Sequence, residues 1–332
     1  MPNAIIRGTG HYIPPKVLTN FDFEKILDTS NDWIVERTGI RERHVLNGSG
    51  DVRTCSDMAT EAGRRALADA GMAAADLDCI IVGTVTPDYL LPSTATLVQE
   101  KLGAGRATVM DVVAACAGFL YGLSIARAFI QTGVNKNVLV IGAEHLTSIT
   151  NYKDRNTCVL FGDGAGAAIL SAGKPGEEDR GILSTFLSGD GQYRELLHIP
   201  LGGSKTPLTT HTLDDPGRFI YMDGREVFKL AVREMEDAAE HVIADAKITP
   251  EQIDMVIPHQ ANARIIEALG KRLGVDPDRV YKNIDRLGNT SSASVPIALD
   301  EARKAGKIGE GSLVLSVAFG GGLVWGAALY RL

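Results

Sequence analysis

The chain has no excess of positive charge, few aromatic side chains and no cysteine pair spaced for a metal. Its 34 Lys and Arg face 41 Asp and Glu, a formal net charge of −7. General nucleic-acid binding needs a basic footprint, so that class is set aside. No apolar run reaches the length of about 18 residues that would span a bilayer, and no membrane partner is expected. The opening segment, Met1 to Gly10, lacks the charged start, apolar stretch and cleavage site of a signal peptide. Its Ile5-Ile6 pair reads as a first strand. There are only four cysteines, Cys55, Cys79, Cys116 and Cys158, and none form a C-x-x-C motif. A chain of 332 residues, 45% hydrophobic, has core enough to dispense with disulfides. Reduced thiols in a cytoplasmic protein follow, with Cys55, Cys79 and Cys158 read as small buried apolar residues.

What the chain does have is an internal repeat. In the first half a helix from about Asp57 to Ala70 stops at Gly71, and the strand Cys79 to Val82 follows. In the second a helix from about Glu226 to Ala246 leads through Thr249-Pro250-Glu251 to the strand Met255 to Ile257. Leu102-Gly103 and Leu273-Gly274 then end corresponding helices. Asp78 to Cys116 is 38 residues, and Asp254 to Asn289 is 35. Helices at Gly118–Thr132 and Ser294–Ala305 come next, then strands at Val138–Ile141 and Leu313–Val317. Gly/Ala-rich strands, Gly164–Leu170 and Val324–Tyr330, close the halves. Alternating strands and helices predict an α/β fold of two duplicated halves with mostly parallel sheets covered on both faces. The halves are placed at 1–172 and 173–332. Residues 173–222, rich in Gly, Pro, Thr and Asp, are read as linker and surface loop without a counterpart.

Cys116 sits where a strand-like run meets an amphipathic helix, among Ala114, Ala115, Ala117 and Gly118. A thiol at a helix start faces unpaired N–H groups and the positive end of the helix dipole, which favours thiolate. Cys116 is therefore the candidate nucleophile. His259 follows the strand that Pro258 ends, where a ring can point into a cleft or serve the core. Asn289, between Gly288 and Thr290, fits a turn or a site. By the repeat, Cys116 and Asn289 occupy equivalent junctions and can converge. Gly320-Gly321-Gly322 lets backbone N–H groups approach a ligand, as an oxyanion hole requires. Gly162-Asp163-Gly164-Ala165-Gly166 lacks the P-loop pattern and reads as tight packing beneath the site.

Seven segments carry a resemblance that covers essentially the whole chain. They are Asn31 to Arg41, Ala115-Cys116-Ala117-Gly118-Phe119, Phe161 to Gly166, Met222 to Phe228, His259 to Arg264, Gly288-Asn289-Thr290-Ser291, and Phe319 to Gly326. In this order they resemble β-ketoacyl-acyl-carrier-protein synthase III, the initiating condensing enzyme of type II fatty acid synthesis. The resemblance implies the thiolase fold, a layered αβαβα core, a homodimer, and a catalytic set of Cys116, His259 and Asn289. Thiolases carry a second cysteine in place of Asn289, and elongating condensing enzymes a second histidine.

The same resemblance implies the chemistry. Cys116 takes an acyl group from a short acyl-CoA, acetyl-CoA first among them, with the N–H groups of Cys116 and Gly321 as oxyanion hole. His259 and Asn289 then stabilise the enolate from decarboxylation of malonyl-acyl-carrier protein, with no metal or added cofactor. Trp33, Arg37, Arg155, Gly224 and Asn262 would bind coenzyme A. Leu91 and Phe161 would wall the acyl pocket. Leu91 stands where some acetyl-selective members carry an aromatic, so longer or branched primers become the alternative. Gln260, Ala261, Asn262, Ala263, Arg264, Lys229, Lys271 and Arg272 would meet the acidic carrier protein. A simple acyltransferase or thioesterase would use Cys116 alone, and a non-catalytic homologue would need none of the three.

Overall fold

The protein is described here by a computed structural model that covers residues 2–46, 50 and 52–332. The first half runs β1 (Ala4–Tyr12), β2 (Lys16–Thr19), α1 (Asn20–Glu24), α2 (Asn31–Thr38), β3 (Glu42–Val45), α3 (Cys55–Ala70), β4 (Cys79–Gly83), α4 (Thr94–Leu102), β5 (Thr108–Val112), α5 (Gly118–Gln131), β6 (Asn137–Glu144) and β7 (Gly164–Ala172). The second runs β8 (Gly181–Gly189), β9 (Leu197–His198), β10 (Tyr221–Met222), α6 (Gly224–Asp245), β11 (Met255–Pro258), α7 (Ala263–Arg272), α8 (Ile284–Leu287), α9 (Ser294–Lys304), β12 (Leu313–Gly320) and β13 (Val324–Arg331).

Helix limits follow local chemistry. Thr54 and Asp57 form a capping box at the start of α3, and Gly71 ends it at φ 62°. Asp223 caps α6 by accepting the Glu226 N–H, and Asn262 caps α7 through the Arg264 N–H. Strand β4, and β6 between Asn137 and Glu144, carry no polar side chain. Ile80, Ile81, Leu139 and Val140 are fully buried, and each such burial contributes about 1.5–3 kcal/mol.

Two sheets form, in the orders β1-β7-β6-β4-β5 and β11-β12-β13-β8. Helices α3 and α4 cover the outer face of the first. Helices α5 and α9 lie between the sheets, and α6 and α7 cover the second. This is the five-layer α/β arrangement expected of duplicated halves. The sheets are mixed, not mostly parallel: β4 pairs in parallel with β5 and β6, and β11 with β12. The pairs β6–β7, β7–β1, β12–β13 and β13–β8 are antiparallel. The closing strand of each half turns back beside its neighbour, and its Gly/Ala composition lets α9 or α6 pack closely.

The stretch read as linker and loop contains β8, which pairs with β13 as β1 pairs with β7. It therefore does have a counterpart. The place of β5 in the second half is reduced to one bridge between Val256 and Val280.

Candidate active site

Each half delivers one loop to the core, and each loop packs on the other half's sheet. A single helical turn, Ala115–Ala117, leads into α5, and Ser291–Ala293 leads into α9. Their first residues share a left-handed backbone, with φ 43° at Ala115 and 48° at Ser291. Non-glycine residues hold that conformation only where surroundings impose it. The matching elements make Ser292 the structural counterpart of Cys116. Asn289 lies three residues earlier, so the equivalence expected between Cys116 and Asn289 is shifted.

Close approach explains two glycines. A Cβ on Gly320 would sit 2.6 Å from the Cys116 nitrogen, and one on Gly142 would sit 2.1 Å from the Ser292 oxygen. Both contacts are impossible for any other residue.

Cys116 is half-buried at the start of α5. Burial pushes its thiol up to about 12, the Ser291 hydroxyl pulls it down, and the Glu144 carboxylate pushes it up. The helix start was expected to favour thiolate, but desolvation outweighs it in the free protein. The thiol keeps its proton at rest and needs an acceptor for it.

His259 continues the pairing of β11 with β12, its N–H donating to Val317 O at 2.8 Å. Its ring is buried, which lowers its pKa to about 3 and leaves it neutral. The Ser294 hydroxyl lies 2.7 Å from Nδ1 and accepts the Gln260 N–H at 3.4 Å. A hydroxyl has one proton and two lone pairs, and the tautomer in which Ser294 donates to Nδ1 is the one that leaves the ring proton on Nε2.

Asn289 is held on both sides by the neighbouring loop. Its N–H donates to Leu160 O at 2.8 Å, and its carbonyl accepts the Gly162 N–H at 3.0 Å. Its Oδ1 accepts the Ser291 N–H at 2.8 Å. Only the carboxamide oxygen can accept, so the NH2 group is left free to donate. The buried Asp163 carboxylate steadies that loop by accepting from Leu46 N, Thr147 N and Thr147 Oγ1. These bonds match the tight packing expected of Gly162 to Gly166.

Cys116, His259 and Asn289 line one cavity of about 1070 Å³, together with Phe161 and Gly321. It runs out to Trp33, Arg37, Gly224 and Asn262 at the surface. Its chemistry is a thiol facing two neutral donors, with an apolar wall and a route to solvent. That set suits acyl transfer onto sulfur followed by stabilisation of a second carbonyl.

Residues 110–191 match the model of the family described as 3-oxoacyl-[acyl-carrier-protein] synthase III, and residues 243–332 match its C-terminal model. A β-ketoacyl-[acyl-carrier-protein] synthase III of Caldanaerobacter subterraneus is 53% identical over 328 residues, covering 99% of this chain and 97% of that one. The chain belongs to the 3-oxoacyl-[acyl-carrier-protein] synthase III family. The crystal structure of the synthase III of Aquifex aeolicus superposes with a TM-score of 0.90 at 48% identity, covering 99% of this chain and 100% of the other. That of Thermus thermophilus gives 0.89 at 44%, covering 98% of each. The fold is the thiolase-like fold of this family, and the activity class is that of a condensing acyltransferase of fatty acid synthesis.

Within a synthase III, the outer residues sort by where they sit. Two guanidinium groups stand near the Trp33 ring, Arg37 at 4.8 Å and Arg155 at 5.2 Å from its centre. Arg155 does not line the cavity; it also donates to Asp28 O at 2.7 Å. Asn262 spends its carboxamide on the α7 cap and on Arg37 O at 2.9 Å. Ala261, Lys229 and Arg264 reach the cavity mouth. Lys229 pairs with Glu226 at 2.7 Å, and Arg272 with Glu236. Lys271 is exposed on α7.

Three expected contact residues are placed elsewhere. Gln260 is 1% exposed and donates to Pro258 O and Tyr281 O while accepting from Asn283 N, so it builds the site from beneath and offers nothing to a partner. Ala263 packs under Gly39 of the α2 cap, where a Cβ on Gly39 would lie 2.4 Å from the Ala263 Cβ. Leu91 is 87% exposed and lines no part of the cavity. The loop that carries it turns away from the site of its own chain. Phe161 is the expected acyl-pocket residue that does face the cavity.

Sequence reasoning missed Ser291, Ser294 and Glu144. The signals were present: a run of hydroxyls after Gly288, and a lone carboxylate closing the apolar strand β6. Among the described residues no three metal-ligating side chains gather, and no helix is long and apolar enough to cross a membrane.

Proposed function

We propose that the protein condenses a short acyl-CoA with malonyl-acyl-carrier protein, losing CO2, through an acyl group carried on Cys116. Cys116 Sγ attacks the thioester carbonyl, and coenzyme A leaves as its thiol. The N–H groups of Cys116 and Gly321 hold the oxyanion of that step. His259 Nε2–H and the Asn289 NH2 group then donate to the malonyl thioester carbonyl. Decarboxylation leaves an enolate, whose carbon attacks the acyl-cysteine and releases a 3-oxoacyl-carrier protein. One lost oxyanion donor typically costs about a hundred- to a thousandfold in rate. The observation that carries this reading is that Cys116, His259 and Asn289 line one cavity, with Asn289 Oδ1 occupied by the Ser291 N–H so that its NH2 group is left to donate there.

Coenzyme A would lie on Trp33 between Arg37 and Arg155, with its pantetheine arm past Gly224 and Asn262. The acidic carrier protein would dock on Arg264, Lys229, Lys271 and Arg272 at the mouth, a local basic patch on an acidic chain. Acetyl-CoA is the reading for the primer. A longer or branched primer is the alternative, from the resemblance alone, since Leu91 stands where some acetyl-selective members carry an aromatic.

A homodimer is supported by the open edge of β5 beside exposed Tyr89, Leu90, Leu91 and Val113. The protein would act in the cytoplasm. Purified protein given acetyl-CoA and malonyl-carrier protein should release CO2 and form acetoacetyl-carrier protein. No product with verified substrates refutes the proposal. A primer panel of acetyl-, butyryl-, isobutyryl- and octanoyl-CoA decides the chain length.

A further inference from the structure

A buried carboxylate stands two hydrogen bonds behind Asn289, and the two-stage mechanism makes no use of it. Glu144 ends β6 with its side chain fully buried. Its Oε2 accepts from Val85 N at 3.1 Å, Thr86 Oγ1 at 2.8 Å and Thr84 Oγ1 at 3.3 Å. Its Oε1 accepts from Ser291 Oγ at 3.0 Å. Ser292 Oγ stands equally near, but its one proton has a closer acceptor in Gly83 O at 2.7 Å. Among the described residues, no Lys or Arg bonds to this carboxyl. A carboxylate in the core without a cation is costly unless several donors meet it, and here they come from both halves of the chain.

Ser291 is the link. Its hydroxyl donates to Glu144, and its N–H donates to Asn289 Oδ1 at 2.8 Å. An N–H can only donate, so it fixes which end of the carboxamide is oxygen and sends the NH2 group the other way. With φ at 48°, one residue presents its N–H to Asn289 and its hydroxyl to Glu144. A non-glycine residue takes that left-handed backbone only under constraint. In the first half Ala115 holds the matching conformation while packed on Gly320, where an added Cβ would come within 3.0 Å of the Ala115 Cβ. Ser291 holds it with a hydrogen bond to a carboxylate, a stronger bond than one between neutral groups.

We propose that Glu144 is a positioning residue for the decarboxylation stage: through the Ser291 hydroxyl it holds the Ser291 N–H on Asn289 Oδ1, and so keeps the Asn289 NH2 group turned into the cavity. This rests on the reading of Asn289 as a donor to the malonyl thioester carbonyl. Asn289 and Ser291 line the cavity and Glu144 does not, so the carboxylate acts without touching substrate. The backbone of Asn289 is fastened separately, to Leu160 O and by the Gly162 N–H. Glu144 therefore governs the rotation of the carboxamide and not the place of the residue. Its other oxygen fastens Val85, which also lines the cavity, so one buried group ties a wall residue and the donor to a common point.

The test measures acylation of Cys116 by acetyl-CoA and CO2 release from malonyl-carrier protein separately, with a melting curve for each variant. Asn289→Ala sets the scale, the loss expected when the donor is gone. Ser291→Ala removes the hydroxyl and keeps the strain of a left-handed backbone. Its CO2 release should fall roughly a hundredfold, with acylation affected far less. Ser291→Gly also removes the hydroxyl, but glycine takes that backbone freely, so most of the lost CO2 release should return. Glu144→Gln, whose amide can accept from Val85 N and donate to Ser291 Oγ, should recover most of what Glu144→Leu loses. Equal CO2 release by Ser291→Ala and Ser291→Gly, or a parallel fall of acylation and CO2 release in Ser291→Ala, overturns the proposal, even if Glu144→Leu fails to fold. If Asn289→Ala itself releases CO2 as the parent does, the reading of Asn289 as donor fails and the proposal falls with it.

Discussion

The hydroxyl of Ser294 sits 2.7 Å from Nδ1 of His259, and its donation there would leave the ring proton on Nε2. A buried neutral imidazole has one donor to give. Donation from Ser294 to Nδ1 would turn that donor toward the cavity. Ser294→Ala should leave Nδ1 unpaired at a cost of about 1–3 kcal/mol in stability. Malonyl-carrier decarboxylation should fall while Cys116 acylation holds. Separate assays of the two half-reactions, with a melting curve, check this.

The two stages should also separate by residue. Cys116→Ala should abolish acylation, whereas His259→Ala and Asn289→Ala should acylate nearly normally and lose decarboxylation. Intact-mass detection of the acyl group and measured CO2 release report each stage. Loss of acylation in Asn289→Ala would refute the assignment.

Gly320→Ala should fold yet lose acylation. Its new Cβ would fall 2.6 Å from the Cys116 nitrogen, backbone that cannot swing aside as a flexible side chain can. The nucleophile loop and its N–H must shift, and an oxyanion donor shifts with it. A circular dichroism spectrum like the parent's, with no acyl adduct, is the expected pair of results.

Two buried groups set opposite pH dependences of stability. Glu144 has its folded pKa raised to about 7, so its contribution is full below its unfolded value near 4.5 and is lost as pH rises through about 7. His259 has its pKa lowered to about 3 from 6.5. Its neutral folded state is favoured above 6.5 and is disfavoured progressively as pH falls toward 3. Glu144→Gln should therefore narrow the loss of stability between pH 4.5 and 7. Denaturant midpoints across that range test it. Decarboxylation should show no imidazole titration between about pH 6 and pH 8.

Arg264→Glu with Lys271→Glu should raise KM for malonyl-carrier protein roughly tenfold and leave that for acyl-CoA near its parent value. The difference should shrink in high salt. Steady-state kinetics at two salt concentrations suffice.

Cys116, His259 and Asn289 were legible in the chain as candidates because each lies in a short segment bounded by Gly or Pro. Helix ends were legible for a similar reason: Gly71 and Gly103 adopt the left-handed cap that stops a helix. Strand β8 was hidden among Gly, Ser and Asp, since an edge strand need not be apolar throughout. The direction of sheet pairing was hidden because both parallel and antiparallel buried strands read as apolar runs.

By itself, the sequence determined the doubled α/β plan and which side chains could do chemistry, because period, caps and turn residues act over neighbours. Tertiary structure alone decided the state of those side chains. Burial outweighed the helix start at Cys116 and kept His259 neutral. It also tied up Gln260, turned Leu91 outward, and placed Ser291, Ser294 and Glu144 behind the site. Desolvation and hydrogen-bond partners come from residues distant in the chain, and local order carries no record of them.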